Sequence, residues 1–264
     1  MENVICDTNI WYNIAENIIK KDDLINVNLI ATYINITEIA STPNIKKHLE
    51  LVKRTTRSIM DYHKIIFNAS PLEHIANIFD NSFIPNVKAI ENTLANLNSF
   101  LNINVVTDIP EINLIDAVKE IDEIENEKIS FASEINEGLK EIKADIKNSG
   151  GKKIHKKKNF SDSWKNFISN FISKYMKYHY NNDFQISINN EKWKKLEFFI
   201  NSWEEYFKLL EIQSNRKFDK NDWNDLFNLV YVQPGYKYWT SEKKWNDIFN
   251  KNDVLKEYVY IPKI

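Results

Sequence analysis

Glycine is scarce: the chain has 4 in 264 residues. Neither G-x-G-x-x-G nor G-x-x-x-x-G-K-[ST] occurs, which excludes the two common phosphate-cradling loops. Cys6 is the single cysteine, so no intrachain disulfide is possible and a reducing compartment is expected. The five histidines, His48, His63, His74, His155 and His179, show no paired metal spacing and no Ser or Cys triad pattern. No apolar run approaches the length of about 18 residues that a membrane span needs. The N-terminus, MENVICDTN, has neither a basic start nor a long apolar stretch, so it does not read as a signal peptide. A soluble cytoplasmic protein with no membrane contact is the expectation.

What the chain does have is 38 Ile, 36 Asn and 32 Lys, against 3 Arg. All three abundant types have AT-rich codons, so codon bias accounts for most of the skew. Hydrophobic residues make up 43%, enough to bury a core, so general disorder is excluded. The formal net charge of -2 excludes a uniformly basic nucleic-acid-binding protein. Charge is unevenly placed, however. Residues 108–150 carry 12 acids and 5 bases, while residues 151–200 carry 11 Lys and 4 acids. Between them runs Gly150-Gly151-Lys152-Lys153-Ile154-His155-Lys156-Lys157-Lys158, which reads as an exposed basic loop.

Periodicity divides the chain into two α/β ends around a long helical middle. Val4-Ile5-Cys6 is too short for a helix and suits a buried strand. Ile10, Ile14 and Ile18 recur at helical spacing, predicting a helix over 9–20. Leu29–Ile34 predicts a second strand, and Thr37-Glu38-Ile39-Ala40 the start of a helix that Pro43 interrupts. Residues 44–147 read as almost wholly helical, punctuated by Pro71, Pro85 and Pro110, with Asn104–Thr107 as a short candidate strand. Segments 161–180, 191–212 and 219–232 predict helices. A strand at Tyr236–Thr240, a short helix at 243–250 and an extended piece at Tyr258–Ile261 follow.

The informative feature is a set of acids placed beside strand ends or helix starts. Asp7 ends the first strand. Glu38 lies on the first turn of the helix after the second. Asp222 and Asp225 lie on one late helix, off its apolar stripe of Trp223, Leu226, Phe227, Val230 and Tyr231. Glu242 follows the last strand. In an open parallel sheet, ligands bind at the carboxyl ends of the strands, so parallel strands would gather these acids at one edge. Clustered carboxylates repel unless a cation neutralises them, and oxygen-only ligands suit Mg²⁺ or Mn²⁺.

Each acid also has an ordinary role open to it. Asp7 suits a helix N-cap, Glu38 and Glu242 suit a first turn, and Asp222 and Asp225 suit a solvated face.

At these residues the chain resembles the PIN-domain nucleases. The resemblance rests on Val4-Ile5-Cys6-Asp7-Thr8-Asn9, Thr32-Tyr33-Ile34-Asn35-Ile36-Thr37-Glu38, Asn221-Asp222-Trp223-Asn224-Asp225-Leu226 and Tyr238-Trp239-Thr240-Ser241-Glu242-Lys243-Lys244-Trp245, in that order. Thr240 falls 15 residues after Asp225, the spacing the family shows between its third acid and a Thr-x-Asp-x-x-Phe pattern. Two departures stand out: Glu242 and Trp245 replace the Asp and Phe of that pattern, and 187 residues separate Glu38 from Asp225, far more than a compact PIN domain uses.

The resemblance implies an α/β, PIN-like three-layer fold with a central mainly parallel sheet and a large helical insertion. The catalytic core would be residues 1–42 and 216–264, and the insertion 43–215. It implies a metal-dependent endoribonuclease in which Asp7, Glu38, Asp225 and Glu242 hold one or two Mg²⁺ or Mn²⁺ ions, with Asp222 auxiliary. Thr8, Asn9 and Thr240 would support the acids or contact phosphate. Arg54 and Arg57, one turn apart, are candidate phosphate clamps. Lys152, Lys153, Lys156, Lys157 and Lys158 are candidates for guiding RNA to the cleft. The late Trp and Tyr residues suit base stacking or, at helical spacing, a core.

By resemblance, the cellular role would be that of a bacterial toxin or an antiviral-defence effector with an antitoxin or defence partner. Two rival readings remain open: a structure-specific DNA nuclease of flap-endonuclease type, and a non-catalytic PIN-like module that binds RNA or protein. A haloacid-dehalogenase-like phosphatase needs an Asp two residues after the nucleophile, where this chain has Asn9.

Overall fold

Four short strands lie side by side in the order β3-β2-β1-β4, all parallel. β1 is Glu2–Cys6, β2 Val27–Thr32, β3 His63–Phe67 and β4 Tyr236–Trp239. The computed structural model describes residues 1–41, 45–101, 126, 128–140, 143, 144, 148, 160–213 and 215–262. Parallel strands are joined by helical crossovers and covered on both faces, and the inner strands show it. Val4, Ile5 and Cys6 are all fully buried, as are Ile30 and Ala31.

Because successive side chains alternate across a sheet, neighbouring residues enter different cores. Ile5, Ile30 and Tyr238 join one cluster. Val4, Cys6, Leu29, Ala31 and Trp239 join the other. The second cluster is closed by α1 (Thr8–Ala15), α2 (Tyr33–Ser41), α3 (Ile45–Tyr62) and α5 (Lys88–Phe100). The first is closed by α4 (Pro71–Phe79), the helical run 128–140 (α6), α7 (Phe160–Tyr180), α8 (Glu197–Ile212), α9 (Lys220–Asn228), α10 (Lys243–Phe249) and α11 (Asp253–Lys256). The result is a three-layer α/β fold.

Most of the late aromatics fill this first core, while Trp239 and Tyr260 enter the second. Trp203 stacks on Phe218 with ring centroids 5.8 Å apart, and Trp245 stacks on Phe249 at 5.8 Å. All seven Trp are buried, so burial and not base stacking accounts for them. Among the described residues, no helix is long and apolar enough to cross a membrane.

Several expected boundaries move. The helix predicted to Lys20 stops at Ala15, because Asn17 turns to a positive φ of 57°, a left-handed conformation that Asn tolerates. Ile18, periodic by sequence, is left exposed. The second strand ends at Thr32 and not at Ile34. Thr32 N donates to Asn35 Oδ1 at 2.9 Å, and Asn35 N donates to Thr32 Oγ1 at 3.3 Å. That reciprocal capping starts α2 at Tyr33, which puts Glu38 on its second turn, not its first.

The proposed limits of the sheet also need correction. β3 lies inside the span 43–215, which reads as mostly helical with its one candidate strand at Asn104–Thr107. Its residues pair with β2 from Leu29↔His63 to Thr32↔Phe67, so the sheet draws a strand from that span. As an edge strand with Ile65 partly exposed, β3 lacks the long apolar run of a central strand. The short strand expected at Asn104–Thr107 lies outside the described residues.

The opposite edge is covered. Tyr238 N donates to Tyr258 O at 2.7 Å and Tyr260 N to Tyr238 O at 2.9 Å, so the extended C-terminal piece lies along β4.

Candidate active site

The chain leaves β1, builds β2 and β3 on one side, and only much later returns to place β4 on the other. The direction of strand order therefore reverses between β1 and β4. Outside the carboxyl ends of such a pair, the loops diverge and leave a crevice. Asp7 and Thr240 are the first residues past those two ends.

Asp7 is the N-cap of α1, with its Oδ1 accepting from Thr8 N at 2.7 Å. Its other oxygen, Oδ2, accepts from Thr240 Oγ1 at 2.6 Å and Asn9 Nδ2 at 2.8 Å. The side chain thus performs the ordinary capping role, and both of its oxygens are engaged in hydrogen bonds. Asn9 Oδ1 in turn accepts from Ser241 Oγ at 3.1 Å. The loops after β1 and β4 are tied together by these bonds.

Glu38 is held from two sides. Thr8 Oγ1 donates to its Oε2, and Asn224 Nδ2 donates to its Oε1 at 2.9 Å. Thr8 is itself oriented by buried Asn35, whose Nδ2 donates to Thr8 Oγ1 at 3.0 Å. Asn35 is locked by Thr32, and Thr32 Oγ1 donates to Asn228 Oδ1 at 2.7 Å on α9. A continuous polar chain therefore links the ends of β1 and β2 to α9, the helix that carries Asp222 and Asp225.

On α9, Asp222 is buried and doubly used. Its Oδ2 accepts from Asp219 N at 3.0 Å in the capping box that starts the helix, and its Oδ1 faces Lys244 Nζ at 3.3 Å. Asp225 Oδ2 accepts from the same ammonium at 2.6 Å. Glu242, partly buried, is the N-cap residue of α10, and its N–H donates to Thr240 Oγ1 at 3.1 Å. Neither Asp222 nor Asp225 is on a solvated face: their side chains are 8% and 17% exposed.

The electrostatics show that these acids feel one another. Burial raises the Asp7 carboxyl well above the usual range, and the charges of Asp225, Glu38 and Glu242 add to that, against the Thr240 hydrogen bond. Burial also raises Glu38, offset by Thr8 and reinforced by Asp225. Asp225 is raised by burial and held back by Lys244. Glu242 is raised by burial and by Asp225. Burial would lower Lys244, but Asp225, Asp222 and Glu242 together raise it. Each carboxylate is costly to ionise in this setting unless positive charge is supplied.

The cations here were not evident from the sequence. Lys244 bridges two of the acids. Lys128 on α6 is buried; its charge lowers Glu38, and its Nζ lies 5.5 Å from the Trp223 ring centroid. Asn35, Asn224 and Ser241 were missed as well. Four of these five stand inside the very segments that carry the acids, so their polarity beside strand ends was the available signal. Lys128 sits in a charged helical stretch with nothing to mark it.

The arginines are placed elsewhere. Arg54 Nη2 pairs with Glu16 Oε1 at 2.5 Å, and Glu16 caps the far end of α1, about 12 Å along the helix from Asp7. Arg57 is exposed on α3, as Arg54 is, and its charge is felt by Glu50. The structure does not bring this pair to the carboxylates. Lys152, Lys153, Lys156, Lys157 and Lys158 lie outside the described residues.

A divalent ion fits the chemistry of the donor set. The acids offer only oxygen, their charges are mutually unfavourable, and Asn224 Oδ1 beside Glu38 is buried with no hydrogen-bond partner, an orphan acceptor where a cation would satisfy it. The spacing is looser than ligation requires. Among the described residues, no three His, Cys, Asp or Glu side chains are gathered closely enough to hold a metal ion, and Asp225 gives one oxygen to Lys244.

No protein-family model matches the chain, and neither a curated protein nor a solved structure matches it.

Proposed function

We propose that this chain is a PIN-like, Mg²⁺- or Mn²⁺-dependent endoribonuclease. One observation carries the reading: Asp7, Glu38, Asp225 and Glu242, from four separate segments, act electrostatically on one another at the carboxyl edge of the sheet, where strand order reverses. A fold stores such repulsion at a cost. Function is the usual reason.

Asp7, Glu38 and Asp225 would hold the ion, with Glu242 at the margin. A bound Mg²⁺ or Mn²⁺ would supply a nucleophile at neutral pH and offset charge on the scissile phosphate. The chain's own contribution is placement. Thr240 and Asn9 fix Asp7, Thr8 and Asn224 fix Glu38, and Lys244 fixes Asp225. The preference for RNA, the role as a toxin or defence effector, and an antitoxin or defence partner rest on the resemblance to PIN nucleases.

A second reading is favoured by the Lys244–Asp225 pair and the loose spacing of the acids: a PIN-like module that binds RNA or protein without cutting. The experiment incubates the full chain with end-labelled single-stranded RNA and with flap DNA, in Mn²⁺ or EDTA, beside Asp7→Asn. RNA cleavage lost in EDTA and in Asp7→Asn supports the proposal. Cleavage of flap DNA alone moves the substrate to DNA. RNA retention without cleavage selects the binding module.

A further inference from the structure

The third arginine of the chain, Arg216, lies on the turn that leads into α9. Its guanidinium carbon is 5.5 Å from the centroid of the Tyr206 ring on α8. The same ring lies 5.7 Å from Lys244 Nζ, which is 2.6 Å from Asp225 Oδ2. One buried aromatic ring therefore connects Arg216 to the lysine of the acidic crevice. The charges of Asp222 and Arg216 both act on the Tyr206 hydroxyl.

The turn is held firmly. Arg216 N donates to Gln213 O at 3.1 Å, and Arg216 Nη1 to Gln213 Oε1 at 3.4 Å. Lys143 Nζ donates to Gln213 O at 2.9 Å and to Arg216 O at 2.8 Å. The acids that follow are engaged elsewhere. Asp219 Oδ1 accepts from Asn221 N and Asp222 N, and Asp222 accepts from Asp219 N and faces Lys244. Arg54 has Glu16, and Lys244 has two carboxylates. Among the described residues, the partly exposed Arg216 guanidinium makes no ion pair.

A guanidinium offers five N–H donors in a planar fork that matches phosphate oxygens. In Arg216 most of that fork stays available beside the crevice. The ring beside it and the turn below it restrict the side chain, so little freedom is lost when an anion binds. Lys143 and exposed Lys217 add positive charge on the same turn. We infer that Arg216 holds a backbone phosphate of the RNA strand beside the crevice, the role the sequence suggests for Arg54 and Arg57. This rests on the RNA-binding part of the reading above. Arg216 binds the strand and takes no part in breaking the bond.

The test reads retention of RNA and not cleavage. Phenylglyoxal modifies accessible arginines, and with 3 Arg in the chain each is followed separately by peptide mass spectrometry. The full chain is labelled with and without single-stranded RNA, in EDTA at low salt. Protection confined to Arg216 is expected. An Arg216 that reacts equally with and without RNA, or protection shared equally by all three, overturns the inference. Fluorescence anisotropy with the same RNA gives a second reading. Arg216→Gln should weaken binding about 10-fold and lower the slope of log affinity against log salt by about 0.7, the loss of one phosphate contact on a single strand. Arg216→Lys, which keeps the charge, should keep the slope. Unchanged affinity and slope in a folded Arg216→Gln overturns the inference, while RNA binding by the wild type leaves the reading above standing. A wild type that retains no RNA overturns both. Circular dichroism reports whether Arg216→Gln has folded, and if it has not, the labelling of the wild type decides.

Discussion

Thr240 donates its hydroxyl to Asp7 Oδ2 at 2.6 Å across 233 residues of sequence. The bond joins the ends of β1 and β4 and favours the charged carboxylate. Thr240→Val keeps the shape and removes the donor, so Asp7 should become harder to ionise. A hydrogen bond to a charged group contributes about 1.5–3 kcal/mol. The acidic limb of the cleavage profile in Mn²⁺ should therefore move to higher pH. An unmoved limb in a folded variant would show that Asp7 is not the titrating acid.

On the proposed reading, in which Asp7 and Asp225 would be charged ligands, Asp7→Asn and Asp225→Asn should each lower metal-dependent cleavage by about 100-fold or more. Neither should unfold the protein. Removing one of several buried, mutually repelling charges offsets much of what the lost hydrogen bonds cost. Thermal melts without metal should stay within about 1 kcal/mol of wild type or rise. A large drop in melting temperature would make these acids structural.

Without metal, stability should fall as pH rises from neutral to alkaline. Asp7, Glu38, Asp225 and Glu242 all have folded-state pKa values above the usual carboxylate range. The folded protein then holds more protons than the unfolded chain, and a group of this kind favours folding most fully below its unfolded pKa of about 4. That contribution is lost as pH climbs through the raised folded values. Lys244, also raised, keeps its charge across that window. Burial lowers His74 to about 4, so that group adds stability as pH rises through the mildly acidic range. Melting temperature should therefore decline above about pH 7, where His74 is neutral in both states, and saturating Mn²⁺ should flatten the decline. A metal-free melting temperature that rises with pH in that alkaline range would refute it.

Asn35→Ala should reveal the buried relay. Its Nδ2 orients Thr8, and its Oδ1 accepts from Thr32 N. Truncation leaves buried donors unsatisfied, at about 1–3 kcal/mol, and frees the hydroxyl that fixes Glu38. Urea unfolding should show the loss of stability, and cleavage should weaken even where the protein is fully folded.

Arg54→Ala should change little. Its pair with Glu16 is about half exposed, and such pairs contribute about 0–1 kcal/mol. Cleavage and RNA affinity should match wild type. A marked loss of RNA binding would restore Arg54 as a phosphate contact.

Much of the crevice was legible from local chemistry. A short β-branched run ending in Asp7, a β-rich run leading to Glu38, and Thr240 after an aromatic strand each mark a strand-to-helix junction, and those junctions are where the acids stand. Periodicity also placed most late helices. It failed at β3, because an edge strand of five residues carries too few apolar positions to stand out from the helix before it. It overran at Ile18, because spacing does not see that Asn17 turns the chain.

Alone, the sequence determined most of the segments that become strands or helices, β3 excepted, and which polar residues stand at their ends, since both depend on neighbours within a few positions. It also set the skew towards Lys over Arg, and so the kind of cation that serves the crevice. Only the tertiary structure decided that β4 pairs with β1 on the side away from β2, which brings Thr240 to Asp7 at the carboxyl ends of the two strands. It alone decided that Lys244 reaches back to Asp222 and Asp225 while Arg54 turns to Glu16. Those outcomes depend on which helices pack on which face of the sheet, and burial of the long-range aromatic core settles that.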